Sequence, residues 1–305
     1  MYYFNDILGV SDEINKVKDI AKKACQSVSP VLIYGETGTG KEMIAQAIHN
    51  ESIRHKKPFI AQNCAAIPEN LLESIFFGVS KGSFTGAAEA EGLFEAAQGG
   101  TLYLDELNSM GLSFQGKLLR VIQEGELRRL GETKVRKIDV RIIASVSEEP
   151  EVLTKTNRLR KDLYYRLNVI RIDMPKLDER KEDIKPLVKS FINKHNLKLP
   201  ANIKGITDEA LEVIVRKSYE GNVRELEHLI EGAIILKQNG IIEREDLNIK
   251  DNMKTSLKDK LESIEKKYIK EALLICGSNI SKTSKFLDVP RQTLQYKIKK
   301  YKIKM

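Results

Sequence analysis

Gly35-Glu36-Thr37-Gly38-Thr39-Gly40-Lys41-Glu42 sets three glycines and a lysine at the spacing of a loop whose backbone NH groups turn inward around phosphate oxygens. The apolar run Val31 to Tyr34 precedes it and a helical pattern follows, so the order is strand, glycine loop, helix. The helix N-terminus adds partial positive charge, and Lys41 can reach the β and γ phosphates of a nucleotide. Further along, G-G-T-L-Y-L-D-E-L from Gly99 to Leu107 is a second buried run that ends in Asp105 and Glu106. Two adjacent carboxylates at a strand end suit one that holds magnesium and one that polarises a water. The two segments together predict a site for ATP and Mg2+; the alternative for the second is a strand ending in solvated acids. Glu42 stands where a Ser or Thr hydroxyl normally ligates the metal, so metal retention leans on Asp105 and the phosphates.

Between these segments lies Gly82-Ser83-Phe84-Thr85-Gly86-Ala87, where hydrolysis itself has no need of a motif. Gly82 and Gly86 suit a mobile hairpin through which the energy of hydrolysis could act on a partner; the bland alternative is an inert surface turn. Charge points to a second partner. Of the formal net charge of +8, +7 falls between Asn279 and Met305, where eight basic residues face one acid, Asp288. A basic block confined to one end indicates a polyanion-binding module, with a solvated lysine tail as the alternative. Asn279 to Leu287 has apolar spacing for a short helix, Asp288 and Val289 make a tight break, and Pro290 can take the first position of a second helix. This helix-turn-helix pattern favours DNA. Arg291, Gln292, Thr293 and Gln295 would face a major groove, while Tyr296, Lys297 and the following lysines neutralise phosphates.

The elements that position these groups read as α/β. Strand-like runs (Phe59 to Gln62, Thr101 to Leu104, Val140 to Val146) alternate with helical stretches such as Gly116 to Glu124, which predicts a parallel sheet between helices. From about Arg180 the β signal fades, and Ile184 to Lys194, Asp208 to Ser218 and Val223 to Leu236 have helical periodicity. A small helical domain should therefore cap the nucleotide. The polar stretch Asn248 to Ser256 reads as a linker to another amphipathic segment, Leu257 to Cys276. The expected organisation is an ATPase core over 1–179, a helical lid over 180–247, a linker over 248–256 and an all-α DNA-binding domain over 257–305.

Composition narrows the class. A chain of 305 residues suits about two domains, and 41% hydrophobic residues can close a sizeable core. No run reaches the ~18 apolar residues of a membrane span and no signal peptide opens the chain, so a soluble cytoplasmic protein with no membrane partner is expected. Cys25, Cys64 and Cys276 lie far apart, without C-x-x-C spacing, and read as reduced packing residues. His49, His55, His195 and His228 share no metal-ligand spacing.

Taken together, G-E-T-G-T-G-K-E, L-L-E-S-I-F-F-G-V-S-K-G-S-F-T-G-A, G-G-T-L-Y-L-D-E-L, L-R-K-D-L-Y-Y-R-L-N-V and G-N-V-R-E-L-E follow one another in an order that resembles the bacterial sigma-54-dependent transcriptional activators, the AAA+ ATPases also called enhancer-binding proteins. The resemblance runs from about Phe4 to the C-terminus, which is similar to the family's Fis-type helix-turn-helix. More loosely, the chain is similar to the Firmicute activators of arginine and amino-acid utilisation. The resemblance implies homo-oligomers from dimer to hexamer, with ATP between subunits and Arg160 and Arg166 as arginine fingers; the alternative for each is a surface salt bridge. It further implies Glu106 as the water activator, Asn63 as the residue that restrains this glutamate, and Arg224 as the sensor of the γ-phosphate from the lid. The hexapeptide would grip the sigma-54 subunit of RNA polymerase through Phe84 and Thr85, while the C-terminal module holds double-stranded enhancer DNA.

Departures from the family pattern qualify these roles. Ala144 is followed by Ser145, Val146 and Ser147 where the family strand ends A-T-N, so an amide that orients water and γ-phosphate is missing, and slower hydrolysis is expected. Tyr219 and Glu220 replace Trp and Pro before G-N-V-R-E-L, which bears on the lid hinge, and Ser83 replaces Ala in the hexapeptide. Asp288 replaces a turn glycine and Pro290 a capping serine. Phe4 to Gly9 already matches the start of the ATPase domain, so the expectation is a truncated form, a chain controlled by a partner, or a constitutively active one. A rival reading is a DNA-binding regulator that uses ATP to assemble without productive turnover; a DNA-remodelling ATPase with no sigma-54 target leaves the hexapeptide unexplained.

Overall fold

Apolar runs in this chain are continuous because both faces of the sheet they form are covered. The computed structural model describes residues 1–83, 88–249, 257–301 and 303. It places β1 (Val31–Tyr34), β2 (Phe59–Asn63), β3 (Thr101–Asp105), β4 (Arg141–Val146) and β5 (Ile170–Asp173) in one parallel sheet of order β2-β3-β4-β1-β5. Side chains alternate across it. Val31, Ile33, Tyr103, Ile143 and Ile172 pack with Ile14 and Val17 of helix α1 (Asp12–Cys25) and Ile44 and Ile48 of α2 (Lys41–Asn50). On the other face Leu32, Leu102, Leu104, Ile142 and Ala144 meet Phe76, Phe94, Leu118 of α3 (Leu112–Glu124) and Leu163 of α4 (Lys161–Leu167). The edge strand β5 was not among the expected strands. Its sequence I-R-I-D is half polar because Arg171 lies over Glu149, Glu151 and Asp173 as an ion-pair cluster.

The segment after Arg180 forms α5 (Ile184–Lys198), α6 (Asp208–Arg216) and α7 (Asn222–Lys237), as its periodicity requires. It also holds two strands that the sequence reading lacked, β6 (Asn202–Ile206) and β7 (Asn239–Ile242), paired in parallel. The lid is thus mixed rather than purely helical. N-I-K-G-I and N-G-I-I carry too many turn residues to read as strands locally, and their pairing is a contact between distant segments. The fully buried Asp183 ties the N-terminus to the lid, accepting from the Val10 and Ser11 NH groups at 2.6 and 2.8 Å and from Ser11 Oγ at 2.8 Å.

Contacts divide the chain into two compact units, Met1–Asn248 and Ile249–Met305. In the second, α8 (Leu257–Ile275), α9 (Ile280–Phe286) and α10 (Arg291–Lys300) close around Leu294 with Ile269, Leu273, Ile298 and Ile303. Asp288 takes φ 51°, the left-handed turn that a glycine would supply, which a short acidic side chain tolerates. Pro290 is not the first helical residue, as expected, but the residue before it, with ψ 136° and its carbonyl accepting from Leu294 N at 3.0 Å. The expected linker over 248–256 lies, from residue 250, outside the described residues. Among the described residues no helix is long and apolar enough to cross a membrane.

Candidate functional site

The glycine loop joins β1 to α2 with Gly38 at φ 80° and Gly40 at φ 102°. A Cβ on Gly38 would lie 2.2 Å from the carbonyl oxygen of Gly221, so the loop and the lid approach as closely as backbone permits. Val223 N donates to Gly38 O at 3.0 Å. Asn222, fully buried and at φ 53°, donates from Nδ2 to Thr37 O at 3.1 Å and accepts from Leu177 N at 2.9 Å. Arg180, 3% exposed, donates to Thr39 O at 3.0 Å, and Thr39 Oγ1 donates to Glu36 O at 2.7 Å. Lys41 is buried, with Nζ on the carbonyls of Gly35 and Glu36 at 2.6 and 3.2 Å. Burial lowers its pKa, opposed by the carboxylates of Asp105 and Glu106. Glu36 pairs with Lys176. Glu42, counted with the loop in the sequence, faces solvent and accepts from Gln46 at 3.0 Å.

Asp105 ends β3 and Glu106 follows at φ 53°, ψ 48°. Asp105 Oδ1 receives hydroxyls from Tyr103, at 2.9 Å, and from Ser145. Asn63 lies beside Asp105 in the β2–β3 register, but its Oδ1 accepts from Ala65 N at 2.9 Å and caps the turn Cys64–Ala66. Among the described residues no hydrogen bond joins Asn63 to Glu106, so the restraint implied by the resemblance is not seen here. Tyr219 seats well where the family has Trp: it is 3% exposed, its Oη donates to Ile214 O at 2.8 Å, and Lys217 Nζ lies 4.5 Å from its ring centre. Arg224 is exposed at the start of α7, close enough to Lys41 for its charge to depress the lysine's pKa.

Next to the loop is a cavity of about 250 Å³, walled by Ile7, Leu8, Met43, Met174, Leu187 and Phe191 and reached by Thr39, Gly40 and Arg180. None of the wall residues was marked in the sequence, since they come from four separate segments. An apolar slot beside a phosphate cradle fits a nucleotide base. The residues also fit the metal implied by the fold: Asp105 has one carboxylate oxygen engaged by the Tyr103 and Ser145 hydroxyls and the other left to a ligand, and Mg2+ is commonly held by one or two carboxylates together with phosphates.

Arg160 and Arg166 are exposed on the core surface. Arg160 is forked onto Asp162 at 3.1 and 2.8 Å, and Arg166 donates to Ile122 O at 3.1 Å. Of the hexapeptide, Gly82 and Ser83 are described and Phe84, Thr85, Gly86 and Ala87 lie outside the described residues. Its base is clasped: Val79 bridges to Ala90 and to Leu130, and Arg129 pairs with Glu89 and Glu95. In the second unit, Arg291, Gln292, Thr293, Gln295 and Tyr296 line the exposed face of α10. Lys297, expected on a DNA phosphate, is instead paired with Glu265 of α8, to which Tyr301 Oη also donates at 2.6 Å. These two donors hold the Glu265 carboxyl below its ordinary pKa.

Residues 7–173 match the sigma-54 interaction domain, residues 178–263 an AAA+ ATPase lid domain, and residues 260–301 the Fis family of bacterial regulatory proteins. The chain belongs to the sigma-54-dependent activators. It is 47% identical to the transcriptional activator RocR of Bacillus subtilis over 98% of this chain and 69% of that protein. It is 43% identical to the regulatory protein AtoC of Escherichia coli over 94% of this chain and 65% of that one. NtrX from Brucella abortus in complex with ATP superposes with a TM-score of 0.73 at 32% identity, covering 97% of this chain and 69% of NtrX. This activator chain thus spans roughly two-thirds of the length of these relatives, and its parallel-sheet core, lid and helix-turn-helix are the AAA+ and Fis-type folds.

Proposed function

We propose that this chain hydrolyses ATP at a subunit seam and uses the energy to remodel sigma-54 RNA polymerase from a closed to an open promoter complex, while its C-terminal module holds enhancer DNA. The carrying observation is the convergence on one glycine loop of Lys41, Asp105 and Glu106, from a span that matches a sigma-54 interaction domain, with Arg224, from a span that matches an AAA+ lid. The loop NH groups and Lys41 bind the phosphates, Asp105 holds Mg2+, and Glu106 takes the proton of the attacking water. Magnesium, when bound, offsets the charge that develops on the β and γ phosphates. Arg160 and Arg166, exposed on the core, complete a neighbour's site, and Arg224 links γ-phosphate to the lid. Gly82, Ser83, Phe84, Thr85, Gly86 and Ala87 form the lever on sigma-54. The expected homo-oligomer is also supported by Leu261, Ile264 and Tyr268, an exposed apolar stripe at helical spacing on α8.

A second reading, ATP used for assembly without productive turnover, is favoured by Ser147 in place of the family amide. Transcription from supercoiled DNA with sigma-54 polymerase separates the two. Open complexes should form with ATP and fail with a non-hydrolysable analogue, and Thr85→Ala should spare hydrolysis while abolishing opening. Opening driven equally by the analogue would sink the proposal in favour of the second reading; persistence of opening in Thr85→Ala would remove the lever from it.

A further inference from the structure

Tyr103 and Ser145 are buried in the parallel sheet, 1% and 0% exposed, yet each carries a hydroxyl. Buried hydroxyls are retained where they have work to do for a partner, since an unpaired one costs stability. Here both reach the carboxylate of Asp105. Tyr103 Oη lies 2.9 Å from Asp105 Oδ1 and 3.1 Å from Ser145 Oγ. Ser145 Oγ donates to the same Oδ1, and the NH of Glu106 donates to Ser145 Oγ at 3.3 Å. The register makes this inevitable once the strands pair. Tyr103 stands opposite Ile143 and Leu104 opposite Ala144, so the two-residue period brings Tyr103, Asp105 and Ser145 to one face at the strand ends.

We propose that Tyr103 and Ser145 are positioning residues for the metal-holding carboxylate. Their hydroxyls fix the orientation of Asp105, Ser145 fixes the adjoining backbone of Glu106, and the affinity of the site for a hard divalent cation depends on both. The two hydroxyls converge on one carboxylate oxygen, so the second is aimed by them rather than engaged by them. The strand end that lacks the family amide at Ser147 keeps a polar link to the acidic pair through a hydroxyl two residues earlier. This inference rests on the assignment of Asp105 to the metal.

The test uses the full chain with ADP, Mn2+ as a paramagnetic stand-in titrated and followed by electron paramagnetic resonance, and ADP affinity measured separately in EDTA. Ser145→Ala should weaken Mn2+ binding about tenfold, the low end of the effect of removing a group that orients a metal ligand. Tyr103→Phe, which keeps the ring and its packing, should weaken it less, and the double variant should fall short of the product of the two because the oxygens share one network. ADP affinity in EDTA should not change in any of them. Asp105→Asn should abolish the Mn2+ site. Unchanged Mn2+ affinity in Tyr103→Phe and Ser145→Ala, with the site lost in Asp105→Asn, overturns the positioning role and leaves the metal assignment standing. Undiminished binding in Asp105→Asn overturns both. An equal loss of ADP affinity in EDTA marks a general disturbance and also defeats the inference; should Ser145→Ala fail to fold, Tyr103→Phe carries the test alone.

Discussion

Thr39, Lys41, Ser145, Arg180 and Asn222 around the nucleotide loop are buried and bonded to neighbours, whereas Arg291, Gln292, Thr293, Gln295 and Tyr296 on α10 stand exposed. Both sets are polar. The difference follows from what each must meet. Charge developing on a transferred phosphoryl group is stabilised by dipoles already held in place, so the site is fixed by the sheet and lid. A duplex presents its phosphates and base edges across water, and the proposed reading of DNA suits a helix packed from behind through Leu294 and Ile298 with its outer side chains free to order on contact.

Arg160 tests this contrast hardest, because it is assigned to the ATP site yet lies exposed and forked onto Asp162. If it completes a neighbour's site, Arg160→Ala should lower kcat about 10³-fold in the assembled protein while leaving ATP binding by dilute chain and DNA affinity unchanged. A steady-state rate reduced by less than about tenfold would return Arg160 to the class of surface ion pairs. A smaller effect is expected at Asn222, the bolt between lid and loop. Asn222→Gly keeps the left-handed backbone and removes the side chain, and should cost about 1–3 kcal/mol in the melting of the first unit, with KM for ATP rising more than kcat falls. Equal stability would mean that the lid docks through backbone contacts alone. The finest distinction lies within α10. Lys299→Ala should lower the slope of log affinity for DNA against log salt by about 0.9, whereas Lys297→Ala, removing a charge already met by Glu265, should leave the slope nearly unchanged. Equal slopes would show that Lys297 leaves Glu265 when DNA arrives.

Legibility in the sequence tracked the range of the interactions involved. β1 occupies Val31–Tyr34 and α10 Arg291–Lys300, as their local patterns predict, because a continuous apolar run and a proline-led amphipathic stretch each carry their own signal. β5, β6 and β7 were invisible because edge position, ion pairing and glycine obscure the period on which such readings depend.

The candidate site divides along the same line. Its chemistry, a glycine loop with Lys41 and an acidic strand end at Asp105 and Glu106, was written in short contiguous motifs, since phosphate and metal binding demand particular residue types at fixed local spacing. Tertiary structure alone decided how those groups are held. Tyr103 meets Ser145 across 42 residues, Arg180 meets Thr39 across 141, and Asn222 meets Thr37 across 185. Side chains so distant along the chain become partners through strand register and lid docking, which no single segment encodes, and the same packing drew Lys297 away from the face its spacing had assigned it.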